Sequence, residues 1–236
     1  MAVSDSSVPL LAPEEPTPFG LILCGDCSGG HYDFVWMLLL LKVLRQAKQG
    51  VLLLSANHGR EHYELVLRRH GLDVGKLEAQ GLLELRILSF GPGESWNDVI
   101  APCSINLMGK RCLFIDDLEA LEAFAPSASA ARVFISSMFA CLGKGDLDSI
   151  AVFGRHVPVG FDAPRSPSLT EYCKHRAHVL VEIEPLSSGR SHDAQGLVTI
   201  SYPLSKRGLE VAGAAERYSF KIAGAGSNVI FFSIRS

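Results

Sequence analysis

The stretch Leu21-Ile22-Leu23-Cys24-Gly25-Asp26-Cys27-Ser28-Gly29-Gly30-His31-Tyr32 joins an apolar strand, a glycine-rich turn and a helix start without a spare residue. That order is the one found in a phosphate-binding loop. A working loop reads G-x-x-x-x-G-K-[ST]: backbone N–H groups wrap the phosphates, the Lys reaches their outer oxygens and the hydroxyl holds Mg²⁺. Gly25 and Gly30 keep the spacing, but His31 and Tyr32 stand at the Lys and Ser/Thr positions. A helix N-terminus disfavours a cationic imidazole, and a tyrosine ring is bulky where a metal must approach. The stretch therefore predicts a phosphate-loop fold whose own loop is degenerate and does not hydrolyse ATP independently. Weak nucleotide binding at the helix N-terminus stays open.

Working outward, Phe19 to Cys24 is apolar without alternation, as in a strand covered on both faces of a parallel sheet. His31 to Gln49 predicts a helix that is apolar nearly all round from Phe34 to Leu41, with Gly50 as its stop. Such a helix packs on more than one side, within the core or against a neighbouring subunit. Val51–Ser55 predicts a second covered strand, Glu61–His70 a helix closed by Gly71, Val74–Gln80 a short polar helix and Leu82–Leu88 a strand. Phe90–Asn97 predicts a loop and Asn97–Met108 a partly helical segment. Strands at Cys112–Ile115 and Ser149–Phe153 enclose helices at Leu118–Phe124 and Ala130–Leu142, with a turn at Gly143-Lys144-Gly145. A long segment with three prolines, Val157 to Pro167, follows, and loops of that length in a compact domain are often functional. Beyond it, Ala177–Ile183, Gly196–Tyr202 and Arg217–Ile222 alternate as antiparallel strands do, and Val229–Ile234 adds one more. The order predicts an α/β fold with a mostly parallel central sheet and a C-terminal antiparallel extension.

A second motif supports this. Leu113-Phe114-Ile115-Asp116-Asp117 has the form of a Walker B strand, whose terminal Asp is expected on the strand adjoining the phosphate loop, where it holds Mg²⁺ or orients water. The plainer alternative is a helix N-cap, with Asp117 accepting from free N–H groups. The two motifs in this order identify Gly25, Gly30, His31 and Asp116 as degenerate nucleotide-site positions. No catalytic residue, cofactor or metal is expected.

Other matches are weaker. His58-Gly59-Arg60-Glu61-His62 fits H-x-x-E-H, but His58 falls in the loop before the helix, and metal binding needs both His on one helix face. Cys24-x-x-Cys27 lies inside the glycine turn with no second pair for a zinc site, and no G-x-S-x-G occurs. Arg155, Arg165, Lys174 and Arg176 bracket the long loop and would share one rim of the sheet, which makes them candidates for nucleic-acid contact.

The chain has 236 residues, 47% of them apolar, enough for one large core. Residues 1–18 read as a flexible tail without signal-peptide character, and 19–236 as a single domain. A formal charge of -3 provides no general attraction for polyanions, so any RNA contact has to be local. Six Cys scattered among apolar neighbours suit reduced thiols and an intracellular compartment. The longest apolar run, Phe34 to Leu41, is stopped by Lys42 and is too short for a membrane span.

With its phosphate loop, Walker B strand, further strand, long loop and antiparallel extension, the chain resembles the RecA-like branch of phosphate-loop proteins. Within that branch it is similar to the family of Elongator complex protein 6. The residues that carry this are Leu23-Cys24-Gly25-Asp26 with the non-catalytic loop, the helix through Phe34 to Leu41, His62-Tyr63 with the Gly71-Leu72 helix end, and Gln80-Gly81-Leu82-Leu83-Glu84. The resemblance spans most of Phe19 to Ser236 and is strongest before Leu88. It implies a RecA-like subunit without working Walker residues, joined by two paralogous RecA-like Elongator subunits in a heterohexameric ring. It further implies contact with the remaining Elongator subunits, tRNA binding through the ring, support of tRNA wobble-uridine modification, and a cytoplasmic and nuclear location. An active ATPase or nucleotide sensor of the RecA/KaiC kind is the alternative.

Overall fold

The structure, a computed structural model, describes residues 8–11, 15, 20–26, 34–46, 50–88, 96, 100, 110–144, 147–155, 168–186, 194–203, 215–223 and 228–234. For Asp26, Gly143, Arg155, Ala223 and Asn228 it describes the backbone alone. In chain order the elements are a 3-10 turn (Pro9–Leu11), β1 (Gly20–Asp26), α1 (Phe34–Gln46), β2 (Gly50–Ser55), α2 (Arg60–Arg69), α3 (Val74–Ala79), β3 (Leu83–Ile87), β4 (Lys110–Ile115), α4 (Leu118–Phe124), α5 (Ala128–Lys144), β5 (Ser149–Arg155), α6 (Leu169–Lys174), β6 (Val179–Pro185), β7 (Gly196–Ser201), β8 (Glu216–Ala223) and β9 (Asn228–Ser233).

The strands form one sheet in the order β3-β2-β4-β5-β1-β6-β7-β8-β9. Pairing is parallel from β3 through β6 and antiparallel from β6 through β9. The mostly parallel sheet with an antiparallel extension is as expected, with one shift of boundary. The alternation of Ala177–Ile183 suggests an antiparallel strand, but β6 runs parallel to β1 and meets an antiparallel partner only in β7. It arrives through α6 as a crossover, and strand direction follows from the connection, not from the side-chain pattern.

Two apolar layers enclose the parallel half. One layer joins α1, α2 and α3 to Ile22, Cys24, Leu53, Phe114 and Phe153. The other joins α4, α5 and α6 to Leu21, Leu23, Leu54, Ile115 and Val152. Alternate residues of one strand thus enter different cores, which is why these strands read as unbroken apolar runs. Val198, Ile200, Phe220, Val229 and Phe231 of the antiparallel strands enter the first layer alone.

Helix α1 is buried from Val35 through Leu44, Lys42 included. Trp36 donates Nε1–H to the Ala151 carbonyl at 3.3 Å, and Phe34 packs on Phe220 with ring centroids 4.8 Å apart. The greasy helix is therefore core. Its outer side meets Val8, Leu10 and Leu11, and Lys42 Nζ donates to the Leu10 carbonyl at 2.9 Å. That part of the tail expected to be flexible is packed: burying three apolar side chains and satisfying a buried ammonium outweigh the cost of ordering four residues.

Helix ends follow their local chemistry, with two corrections. Gly71 (φ 76°) and Gly81 (φ 72°) close α2 and α3 in the left-handed region. There Leu72 N–H reaches the Leu67 carbonyl and Leu82 N–H the Leu77 carbonyl, each at 2.9 Å. Gly50, in contrast, opens β2 and pairs with Lys110, so it is not the stop of α1. Gly143 and Lys144 belong to α5, not to a turn. Residues 90–95, 97–99 and 101–108, where a loop and a partial helix were expected, lie outside the described residues, as does the 157–167 loop. Helix α6 had no counterpart in the sequence reading, although Ser168-x-x-Glu171 is a helix-start signature; Ser168 Oγ accepts from Glu171 N at 3.2 Å.

Candidate functional site

The carboxyl ends of parallel strands are where α/β sheets place ligands. Here that rim holds Asp26 on β1, Ser55 on β2, Asp116 after β4 and Arg155 on β5. Gly25 lies within β1, buried and paired with Gly154 of β5 and Glu182 of β6. Gly25, expected in the glycine turn, therefore belongs to the strand. Gly30, His31 and Tyr32 fall outside the described residues. Burial pushes the Cys24 thiol far above its ordinary value, so the thiolate a redox pair needs is disfavoured there.

The Walker B position departs from expectation in its neighbours. Strand β4 does not adjoin β1, because β5 lies between them. Two strand spacings, about 10 Å, separate the two backbones. Chain order does not reveal this, since β5 follows β4 in sequence yet lies between β4 and β1 in the sheet.

The side chain of Asp116 is occupied by the β2–α2 connection. Its Oδ1 accepts from Ala56 N at 2.7 Å. Its Oδ2 accepts from the Ser55 hydroxyl, from the Tyr63 hydroxyl at 2.7 Å and, more loosely, from Asn57 N at 3.4 Å. Asp116 is 5% exposed, and Ser55 and Tyr63 are fully buried. A buried carboxylate is tolerated only where donors replace its water, and four donors do so here. Ser55 Oγ also accepts from His58 N at 3.0 Å, which ties the loop to the same carboxylate. Neither Ser55 nor Tyr63 is a site residue in the sequence analysis, where Tyr63 enters only among the residues that carry the family resemblance. Their signal is a hydroxyl ending an apolar strand and a tyrosine on the inward face of α2, and it has meaning only once Asp116 is known to lie opposite.

Asp117 behaves as the plainer alternative stated: its Oδ1 accepts from Ala120 N at 2.8 Å and caps α4. His58 lies before α2, whose N-cap is Gly59. The His58 and His62 rings stack at 4.0 Å between centroids and 11° between planes, with Tyr63 edge-on to both. Among the described residues no group of three or more His, Cys, Asp or Glu is gathered for a metal.

The basic candidates separate. Arg155 ends β5 opposite Asp26, at the carboxyl rim. Arg176 lies two residues before His178, whose N–H donates to the Leu21 carbonyl at the amino end of β1. Five residues of strand, about 16 Å, lie between those levels, so the expectation of a single rim is corrected: the chain crosses the sheet's height between Arg155 and Arg176. Lys174 Nζ pairs with Glu182 at 2.8 Å, and the Arg176 guanidinium covers the Tyr172 ring at 3.9 Å. Arg165 lies outside the described residues. Helix α4 holds the start of α6: Glu122 Oε2 accepts from Leu169 N at 3.0 Å, and Glu119 accepts from the Thr170 hydroxyl.

A KaiC-like protein from the hyperthermophilic archaeon Pyrococcus horikoshii has a similar structure, with a TM-score of 0.58 over 91% of this chain and 89% of that one. The chain has a RecA-like fold. The identity across that superposition is 9%, so the likeness concerns the fold of the RecA-like domain and not its chemistry. Solved chains that match it number 430. No protein-family model and no curated protein matches the sequence. No helix among the described residues is long and apolar enough to cross a membrane.

Proposed function

We propose that this RecA-like domain is a non-catalytic ring subunit of the Elongator accessory type, acting through assembly with two RecA-like paralogues and through tRNA binding or release. The observation that carries this is the Asp116 carboxylate, which accepts from Ser55, Asn57 and Tyr63 at Oδ2 and from Ala56 N at Oδ1. A carboxylate committed to donors of its own chain is less available to a metal or water in phosphoryl transfer. This one shapes the β2–α2 connection. His31 and Tyr32 in place of Lys and Ser/Thr point the same way.

Native mass spectrometry of the complex captured through this chain tests the assembly, with stoichiometric recovery of two RecA-like partners as the expected result. A well-behaved monomer in cells would count heavily against it. The alternative is an active RecA/KaiC-like ATPase, which the fold accommodates. ATP turnover by the purified subunit, abolished by Asp116→Asn in a folded variant, would establish that alternative instead. For tRNA, charge reversal at Arg155 and Arg165 is expected to weaken binding by the assembled ring and lower its salt slope. Lys174 and Arg176, already engaged within the chain, contribute less. Unchanged affinity and slope would remove the loop from the tRNA site.

A further inference from the structure

The first helix layer brings its positive charge to one place. Arg45 lies in the last turn of α1, and Arg68 and Arg69 in the last turn of α2, whose C-cap is His70. Arg45 donates to the His70 carbonyl at 3.3 Å, which sets the two helix ends side by side. Lys110 opens β4 opposite Gly50, the first residue of β2, and its Nζ donates at 2.9 Å to the Gly81 carbonyl just ahead of β3. These cations therefore gather at the amino end of β3, β2 and β4, about 10 Å across, and at the opposite end of the sheet from Arg155.

Among the described residues no ion pair includes Arg45, Arg68, Arg69 or Lys110. The three arginines are exposed, and the bonds of Arg45 and Lys110 are to carbonyls, which carry no formal charge. Asp73, close by in sequence, is used as the N-cap of α3 and accepts from Lys76 N at 2.9 Å. A basic residue in a last turn complements the helix dipole, which accounts for a cation on each helix and not for Lys110 on a strand. Burial, and then nearby positive charge, Arg45 included, hold the His70 imidazole below its usual 6.5, so this end of the molecule already resists one more cation.

We propose that this end of the sheet, with Arg45, Arg68, Arg69 and Lys110, is a nucleic-acid contact surface that grips the phosphate backbone without reading bases. A partner protein or a membrane needs apolar side chains to meet it, and among the described residues of α1, α2 and α3 Leu65 alone is large, apolar and exposed. A phosphate backbone needs none. Guanidinium groups bind its oxygens bidentately, and the release of counterions supplies the free energy. With a formal charge of -3 over the whole chain, attraction for a polyanion has to come from a local concentration of this kind. The surface is separate from Arg155 and does not depend on assembly into a ring.

Fluorescence anisotropy of the purified full chain, from about 1 to about 100 μM and at salt between about 50 and 200 mM, tests this against a labelled tRNA transcript and a single-stranded DNA of equal length. Salt-dependent binding to at least one is expected, and the tighter of the two identifies the polymer. Arg45→Gln, Arg68→Gln and Arg69→Gln together should weaken it at least about tenfold and lower the salt slope by about 2 to 3. Arg68→Lys with Arg69→Lys should keep the slope, because the charge remains. Bound nucleic acid should also raise the His70 pKa, followed by NMR of its ring, since an anion favours the imidazolium. Circular dichroism and Tm establish that each variant is folded, and Arg68→Gln with Arg69→Gln, which leaves the Arg45 bond to His70 in place, decides the matter if the triple variant is not. Absence of binding to both polymers overturns the proposal. Binding indifferent to these arginines but lost in Arg155→Gln overturns it as well, and leaves the ring reading standing. Equal binding of polyglutamate or of phosphatidylserine vesicles at the same salt overturns the assignment to nucleic acid.

Discussion

The parallel and antiparallel halves of this sheet solve the same burial problem with different sequences. Strands β4, β5 and β1 lie between two layers of helices and are apolar at nearly every position. Strands β7, β8 and β9 lend only one face to a core; β7 and β8 alternate, while β9 carries the apolar run Val229-Ile230-Phe231-Phe232. The covered half offers a partner its strand ends, its loops and the outer faces of its helices, where Leu65 and Val133 are exposed. Among the described residues the half-covered part keeps one face without a helix layer.

The strongest way to break this contrast is to remove a similar ring from each half. Phe114→Ala, at a site 1% exposed beside Trp36, should cost about 3–5 kcal/mol in urea unfolding. Phe232→Ala should fall within about 0.5 kcal/mol of the wild type. Equal costs would mean that the outer face of the extension is packed after all. Next in size is Asp116→Ala, which leaves the buried Ser55 and Tyr63 hydroxyls without their acceptor and should destabilise by about 3 kcal/mol. Tyr63→Phe, losing one donor, should cost about 1 kcal/mol. An Asp116 variant of wild-type stability would show that its hydrogen bonds do not hold the β2–α2 connection.

Smaller effects should separate the halves by pH. Burial, and then the hydrogen bond to Glu216, raise the Tyr218 hydroxyl above its usual pKa near 10. Because the fold favours the neutral phenol, stability is intact below pH 10 and declines as the unfolded chain ionises above it. Hydrogen exchange at high pH should show β8 loosening before β4, and Tyr218→Phe should abolish the difference. The smallest effect concerns His70, the C-cap of α2, which burial and then nearby positive charge, Arg45 included, hold below the usual 6.5. The folded state favours the neutral ring, so stability is full above pH 6.5 and is lost as pH falls toward the lowered value. His70→Asn should flatten Tm between about pH 5 and 7; an unchanged slope would assign it elsewhere.

Much of the fold was legible because its signals are local. The glycines at Gly71 and Gly81, the caps at Asp73 and Asp117 and the apolar runs at β1, β2 and β4 depend on neighbours a few residues away. The candidate site was legible only in part. Asp116 stood out as a carboxylate ending a strand, but its four donors come from residues more than fifty positions earlier. Alternation in Ala177–Ile183 does not report direction, so β6, the last parallel strand, resembled the first antiparallel one.

The amino-acid sequence by itself determined the order of the strands and of most helices, the stop at Gly71 and the exchange of Lys and Ser/Thr for His31 and Tyr32, since each follows from local sterics, periodicity or the chemistry of a single position. Only the tertiary structure decided that β5 separates β4 from β1, that Asp116 serves the β2–α2 connection, that Arg155 and Arg176 lie at different heights of the sheet, and that β9 ends it without charge. Those outcomes depend on which distant segments become neighbours, and side-chain periodicity records that a residue is buried without recording what buries it.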